Sequence, residues 1–331
     1  MGWNDDTLVY IGDPYLAATM QAIRKAIVMF RYAFGITPDD DDPPPVVAGD
    51  WLDASTINAY RSTLAGFLAY NYNLDPATGS PWASISAILG YNQPGGAHNW
   101  TTLPARWSGG PTYGDTLPPN TPAFIEHVNE LIDVLEELRI QHVQQSSTDD
   151  GWIGMQDLDW SDCKAGTASI TEVQAATVKA TIGAALAYVI WRAFFAFDLS
   201  SFTADTPGAV LRLVLHASYN MHTYIYGTDL YVYRSTWSAP LAVADWTALG
   251  AAEGVMTIAG TGASRELTPA AAPLGGESRL AVISYYDEID TAPPATPPQY
   301  GLYQQAVRTA DAAATLRPTL DVELDYTADV P

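Results

Sequence analysis

Lysine is nearly missing from this chain. Lys25, Lys164 and Lys179 are the only ones in 331 residues, and arginine supplies the other basic side chains. Charged residues of any kind make up 16 %, against 48 % hydrophobic, and the formal balance is −22 with a sequence pI near 4.2. Such a balance repels phosphate backbones and anionic lipid surfaces, which argues against nucleic-acid and membrane-surface partners. The apolar content is too high for a disordered acidic chain. Low Lys with abundant Asp, Ala and Thr fits a GC-rich genome better than a salt-adapted host.

Cysteine is almost absent as well. Cys163 stands alone, so there is no intrachain disulfide framework and no cysteine-based zinc site. Its acidic surroundings, Asp157-Leu158-Asp159-Trp160-Ser161-Asp162, are expected to raise the thiol pKa and discourage a nucleophilic role. Long apolar runs are missing: Ile182–Ile190 is too short to span a bilayer. The start, Met-Gly-Trp-Asn-Asp-Asp, has no basic region or apolar signal core, and Asp6 stands where a myristoylation signal needs Ser or Thr.

What is present divides into two halves. Three helix-like segments, near 14–34, 52–70 and 122–145, resemble one another. Gly12-Asp13-Pro14 through Arg24 aligns without gaps on Gly49-Asp50-Trp51 through Arg61, and Thr121-Pro122 through Leu131 is a more diverged copy. Asp13, Asp53 and Thr121 are candidate N-caps, with Pro14 and Pro122 suited to a first turn. In the third segment Val128, Leu131, Leu135 and Leu138 form a stripe, with Glu130, Asp133, Glu136 and Glu137 expected to face away. The stripe suits either its own domain's core or a helical bundle between subunits. Asp39–Asp42 with Pro43–Pro45 can be neither helix nor central strand, and Asn92–Asn120 reads as a long loop.

From about Tyr188 the period changes to two. Leu211, Leu213 and Leu215 alternate with Arg212, Val214 and His216; Leu230 and Val232 alternate with Tyr231 and Tyr233; Leu320, Val322, Leu324 and Tyr326 alternate with Asp321, Glu323 and Asp325. The expected class is α+β and multidomain: residues 1–165 helical and loop-rich, residues 166–331 an antiparallel, jelly-roll-like β-sandwich.

Chemistry is hard to find. His98, His127, His142, His216 and His222 form no recognised metal spacing, and His127 beside Glu126 reads as a surface neighbour. Asp157, Asp159 and Asp162 lack the Gly and the terminal Glu of an EF-hand. Neither a Gly-x-Ser-x-Gly elbow nor a P-loop occurs, and glycosidase carboxylate pairs leave no local spacing to read. The expectation is no enzyme, no metal and no cofactor. The remaining candidates are Tyr224, Tyr226, Tyr231, Tyr233 and Trp237, crowded into one hairpin-like region, where exposed rings could stack on sugars.

The order Phe197-Asp198-Leu199-Ser200, then Leu211-Arg212-Leu213, then the closing Leu320-Asp321-Val322 resembles the jelly-roll-type sandwiches of extracellular bacterial proteins and of tailed-phage tail and fibre proteins. Ile57-Asn58-Ala59-Tyr60-Arg61 and Val128-Asn129-Glu130-Leu131 are similar to the short "Asn-x-Leu/Tyr-Arg" helices of such virion proteins, of tailed phages or archaeal tailed viruses, although Ile132 stands where the third copy's arginine would fall. The resemblance implies a virion structural protein, a tail, fibre or exterior decoration component. It would assemble with itself, a trimer favoured, and with other virion proteins. A receptor- or carbohydrate-binding head is the alternative, and a secreted glycan-active enzyme a weaker one. A virion component made in the host cytoplasm and released by lysis would need no signal peptide.

Overall fold

A computed structural model describes residues 16–37, 43, 45–46, 53–70, 72, 74–75, 78–85, 87–88, 125–145, 149–177, 179–185, 188–221, 229–257, 264–267, 274–293 and 303–331. The Asp39–Asp42 run, the Asn92–Asn120 loop, His98, His222, and the caps Asp13 and Thr121 with Pro14 and Pro122 lie outside them. The fold mixes helices with antiparallel sheet, and the chain divides into two compact units. Met1–Gln141, Asp205–Ala209 and Glu323–Pro331 make the first; His142–Ala204 and Val210–Val322 make the second. The division falls at Gln141/His142, ahead of the expected 165/166.

In the first unit, α1 (Leu16–Ala33) buries Met20, Ile23, Ile27 and Phe30, the three-and-four spacing of one helical face. It ends in a Schellman motif. Gly35 takes φ 60°, so the Ile36 amide reaches the Arg31 carbonyl at 2.8 Å and the Gly35 amide reaches Tyr32 at 3.1 Å. α2 (Ala54–Phe67) starts at Asp53, whose carboxylate accepts the Thr56 amide at 2.8 Å. Its Phe67 stacks on Phe30 of α1 with centroids 4.3 Å apart. α3 (Ile125–Arg139) stops six residues short of the expected end. Ile140–Gln144 instead form strand β3, because Gln141 and Val143 turn inward while Ile140, His142 and Gln144 stay half-exposed, a period of two. Gln141 caps the junction, donating to the Leu138 carbonyl at 2.6 Å and accepting the Tyr72 amide at 2.7 Å. β1 (Leu74–Asp75) and β2 (Ser80–Pro81) pair in a short separate sheet.

Three expectations about α3 need correction. Val128, Leu131, Leu135 and Leu138 are each 0–1 % exposed within this chain, so the stripe is core and is not available to a second subunit. Glu130 does not face away. It is buried and pairs with the buried Arg61 of α2, which compensates a carboxylate that water no longer solvates. His127 is likewise buried instead of lying at the surface.

The second unit is built on β4 (Gly151–Gln156), β5 (Ile170–Ala175), β6 (Lys179–Ala185), β7 (Val189–Asp198), β8 (Val210–Met221), β9 (Asp229–Ser235), β10 (Leu249–Thr257), β11 (Ser264–Leu267), β12 (Glu277–Ser284), β13 (Tyr303–Arg308) and β14 (Thr319–Glu323). Strands therefore begin well before Tyr188. The main order is β10-β9-β12-β7-β6-β13-β8-β14-β3, with β11 on β8 and β4 between β5 and β7. β7 is the hub: β4 runs along Val189–Phe194, while β6 covers Val189–Trp191 and β12 covers Ala193–Asp198. The expected alternation appears in β8, where Leu211, Leu213 and Leu215 are buried and Arg212, Val214 and His216 are half-exposed. In β14 it fails at one place: Asp321 is buried, with His142 Nδ1 at 2.8 Å from its carboxylate.

Under the sheet, Ile153, Met155, Ile190, Phe194, Trp237, Leu241 and Trp246 form one core. α4 (Trp160–Ala165) adds Cys163, and α5 (Tyr285–Glu288) adds a charge. Asp287 of α5 is fully buried and takes two hydrogen bonds from Arg192, at 2.6 and 2.8 Å, with Lys164 Nζ at 3.0 Å. The same guanidinium donates to the Trp246 carbonyl at 2.7 Å and lies 3.9 Å from the Trp246 ring centroid.

Candidate functional site

The aromatic cluster expected between Tyr224 and Trp237 does not survive as one surface. Tyr224 and Tyr226 lie outside the described residues. Trp237 is 0 % exposed, edge-on to Phe194 at 6.4 Å and under Arg279, so it offers no ring face to a ligand. It carries core packing instead, which is the fate of an indole on the inner side of a strand connection. Tyr231 and Tyr233 are half-buried on β9, alternating with buried Leu230 and Val232. The Tyr233 hydroxyl donates to Glu288 of α5. Burial, reinforced by Glu288, raises the Tyr233 pKa, and burial with Asp229, Glu288 and Tyr285 raises that of Tyr231. Both remain neutral phenols.

The acidic residues around α4 are occupied locally. The Asp157 carboxylate accepts the amides of Leu158 at 2.6 Å, Ser169 at 2.6 Å and Asp159 at 3.3 Å, and its bonds from Ser169 hold it at about 2. Asp159 caps α4 through the Ser161 amide at 2.8 Å. Among the described residues no group of three metal-ligating side chains converges. Cys163 is buried with its Sγ 2.6 Å from the Tyr188 carbonyl, and burial first, then the neighbouring aspartates, pushes the thiol up to about 11. Burial also lowers the His216 imidazole, against the pull of Asp321.

A different pair of rings makes a better site. Cα partners across antiparallel strands share a face, so the register of β5, β4 and β7 puts Glu172, Gly154 and Trp191 in one row. Gln174, Trp152 and Ala193 form the next row, and Ile170, Gln156 and Val189 the row on the other side. The alternate residues Ile153, Met155 and Ile190 are core. On the outer face the two indoles are half-exposed, while Glu172, Gln174, Gln156 and Ile170 are exposed.

Gly154 lets the rings converge. A Cβ there would stand 3.0 Å from Trp152 Cζ3 and 3.0 Å from Trp191 Cδ1, so both indoles lean into the space a side chain would fill. At the margin, Gln174 Nε2 donates to Glu172 Oε1 at 2.8 Å, fixing one amide and one carboxylate beside the rings. The three rows contain no cation. Such a face offers two apolar ring surfaces and hydrogen-bonding groups at the edge, and no means of attracting an anion. Counting local aromatic density missed it, because Trp152 and Trp191 are far apart in sequence; the readable signal was Trp-x-Gly on a strand-like segment.

No family model matches the chain, and a search of the curated proteins gives no match.

Proposed function

We propose that this chain is a non-catalytic virion-type structural protein whose second unit binds neutral glycan on the Trp152–Trp191 face. The single observation that carries the binding role is that face: two half-exposed indoles converging over Gly154 on an outer sheet surface, rimmed by Gln156, Glu172 and Gln174. A sugar ring presents an apolar face of C–H groups ringed by hydroxyls, which complements an indole with polar neighbours. The absence of lysine and arginine from the three rows, in a chain of net charge −22, disfavours sulfated or otherwise anionic glycans.

The virion setting rests on the resemblance of the Phe197–Ser200, Leu211–Leu213 and Leu320–Val322 segments to phage tail and fibre sandwiches. The antiparallel, largely non-sequential strand order supports reading the second unit as jelly-roll-like. Self-association, with a trimer favoured, belongs to the same proposal and requires a surface other than the α3 stripe.

The test is a glycan array and polysaccharide pull-down with the purified chain, followed by calorimetry on the best neutral oligosaccharide. Binding that falls at least about tenfold in Trp152→Ala and in Trp191→Ala, with unfolding unchanged, supports the site. Retained binding in both variants, or preference for anionic glycans, refutes it. Light scattering that finds only monomer at every concentration refutes the assembling role.

A further inference from the structure

Asp150, just ahead of β4, is 0 % exposed, and neither of its carboxyl oxygens has a hydrogen-bond partner. The backbone amides of Ala310 and of Asp150 itself are the groups that favour its charged form, and burial outweighs them. The charged groups that act on it are both acids: Asp149 from its own segment, and Asp311 from the turn after β13. Asp311 Oδ2 is itself buried and without a partner.

The backbone cannot easily turn this carboxyl outward. The Asp150 carbonyl accepts the Ala176 amide at 3.1 Å, and the Asp149 carbonyl accepts Leu241 at 3.4 Å. Gly151, at φ 151°, has the Gln174 carbonyl oxygen 1.9 Å from where a Cβ would be. Thr309 donates its hydroxyl to the Thr177 carbonyl, tying the segment leading to Asp311 to the same corner that holds Asp150.

We propose that Asp150 is a buried proton-holding acid, held neutral with Asp311 as a neighbouring like charge, and that loss of its proton loosens the start of β4. An ionised carboxylate buried with no cation beside it is among the most unfavourable groups a core can hold, so the acid stays protonated, and the Asp311 charge works in the same direction. Burial, with Asp311 and Asp149 behind it, pushes Asp150 up to about 8. The folded form therefore keeps a proton that the unfolded chain gives up near the ordinary value of 3.8. The stabilisation is full below the unfolded value and is lost as pH rises toward 8. This inference is independent of the glycan proposal.

Thermal unfolding of the full chain, followed from about pH 5 to about pH 9, tests it. The second unit's melting temperature is expected to fall across that range in the wild type and to stay flat in Asp150→Asn. Infrared difference spectroscopy at neutral pH should show a protonated carboxyl band that Asp150→Asn lacks. If Asp150→Asn does not fold, Asp311→Asn carries the test: removing the neighbouring charge should make the fall smaller and shift it to lower pH. Parallel profiles for wild type and the folded variant overturn the proposal. So does calcium at millimolar concentration restoring the wild type, but not the variant, at high pH, because the acids would then be a cation site.

Discussion

Two aspartates in the second unit are equally inaccessible and oppositely treated. Asp287 has 0 % of its surface exposed and holds the Arg192 guanidinium through both oxygens, with Lys164 alongside. Asp150 has 0 % exposed, and the charged groups that act on it are both acids. Burial removes the same hydration from both, so the neighbours decide the chemical state: Asp287 is held as one member of a hydrogen-bonded ion cluster, Asp150 as a neutral acid. A buried carboxylate is therefore not one kind of object. One fixes a helix to a sheet; the other makes its segment answer to pH.

Breaking the first arrangement should have the larger effect. Arg192→Met strips Asp287 of both hydrogen bonds and removes the contact over Trp246; breaking a buried pair on one side costs about 3–5 kcal/mol, read as a lower denaturation midpoint of the second unit. Asp150→Asn should move stability the other way at about pH 8, because it removes the ionisation that the wild type resists. If both variants lose the same stability at that pH, the contrast between the two acids is wrong. Glu130→Gln in the first unit is a control of the Asp287 kind. It removes the Glu130 charge from beside the buried Arg61, and chemical denaturation should show a loss confined to the first unit.

The same contrast explains how much was legible in the sequence. Elements whose logic is local could be read: the Asp53 cap, the stripe of α3, and the alternation of Leu211, Leu213 and Leu215 all follow from spacing along one segment. Groups whose state depends on a distant partner could not. A helical wheel puts Glu130 on a solvent face, as it does any glutamate there, whereas Arg61, which pairs with it, is 69 residues away on another helix. Asp321 fits an alternating acidic face, yet His142 and burial claim it. β4 and β6 are hard to read as strands because Gly151, Gly154, Gly183 and Ala184 dilute the contrast between faces that a period of two needs. For the candidate site the sequence pointed to the right residue type in the wrong place. Trp237 sits in a dense aromatic run and is core, whereas Trp152 and Trp191 are isolated in sequence and meet only through the register of β4 with β7.

The two faces of those strands carry the contrast to the surface, where effects on stability should be small and effects on binding large. Gly154→Ala places a methyl 3.0 Å from both indoles, so the rings must shift by a few tenths of an ångström. Glycan affinity measured by calorimetry should drop by less than in Trp152→Ala or Trp191→Ala, since the rings are displaced and not deleted. Met155→Ala on the opposite face should reverse the pattern: it opens a cavity in the core and lowers stability by about 2–5 kcal/mol, while affinity at temperatures where the chain stays folded should hold. An affinity loss in Met155→Ala as large as in the tryptophan variants would mean that binding reports only the integrity of the sheet. Preserved affinity would show that one strand can serve packing and recognition separately, because successive side chains point to opposite faces.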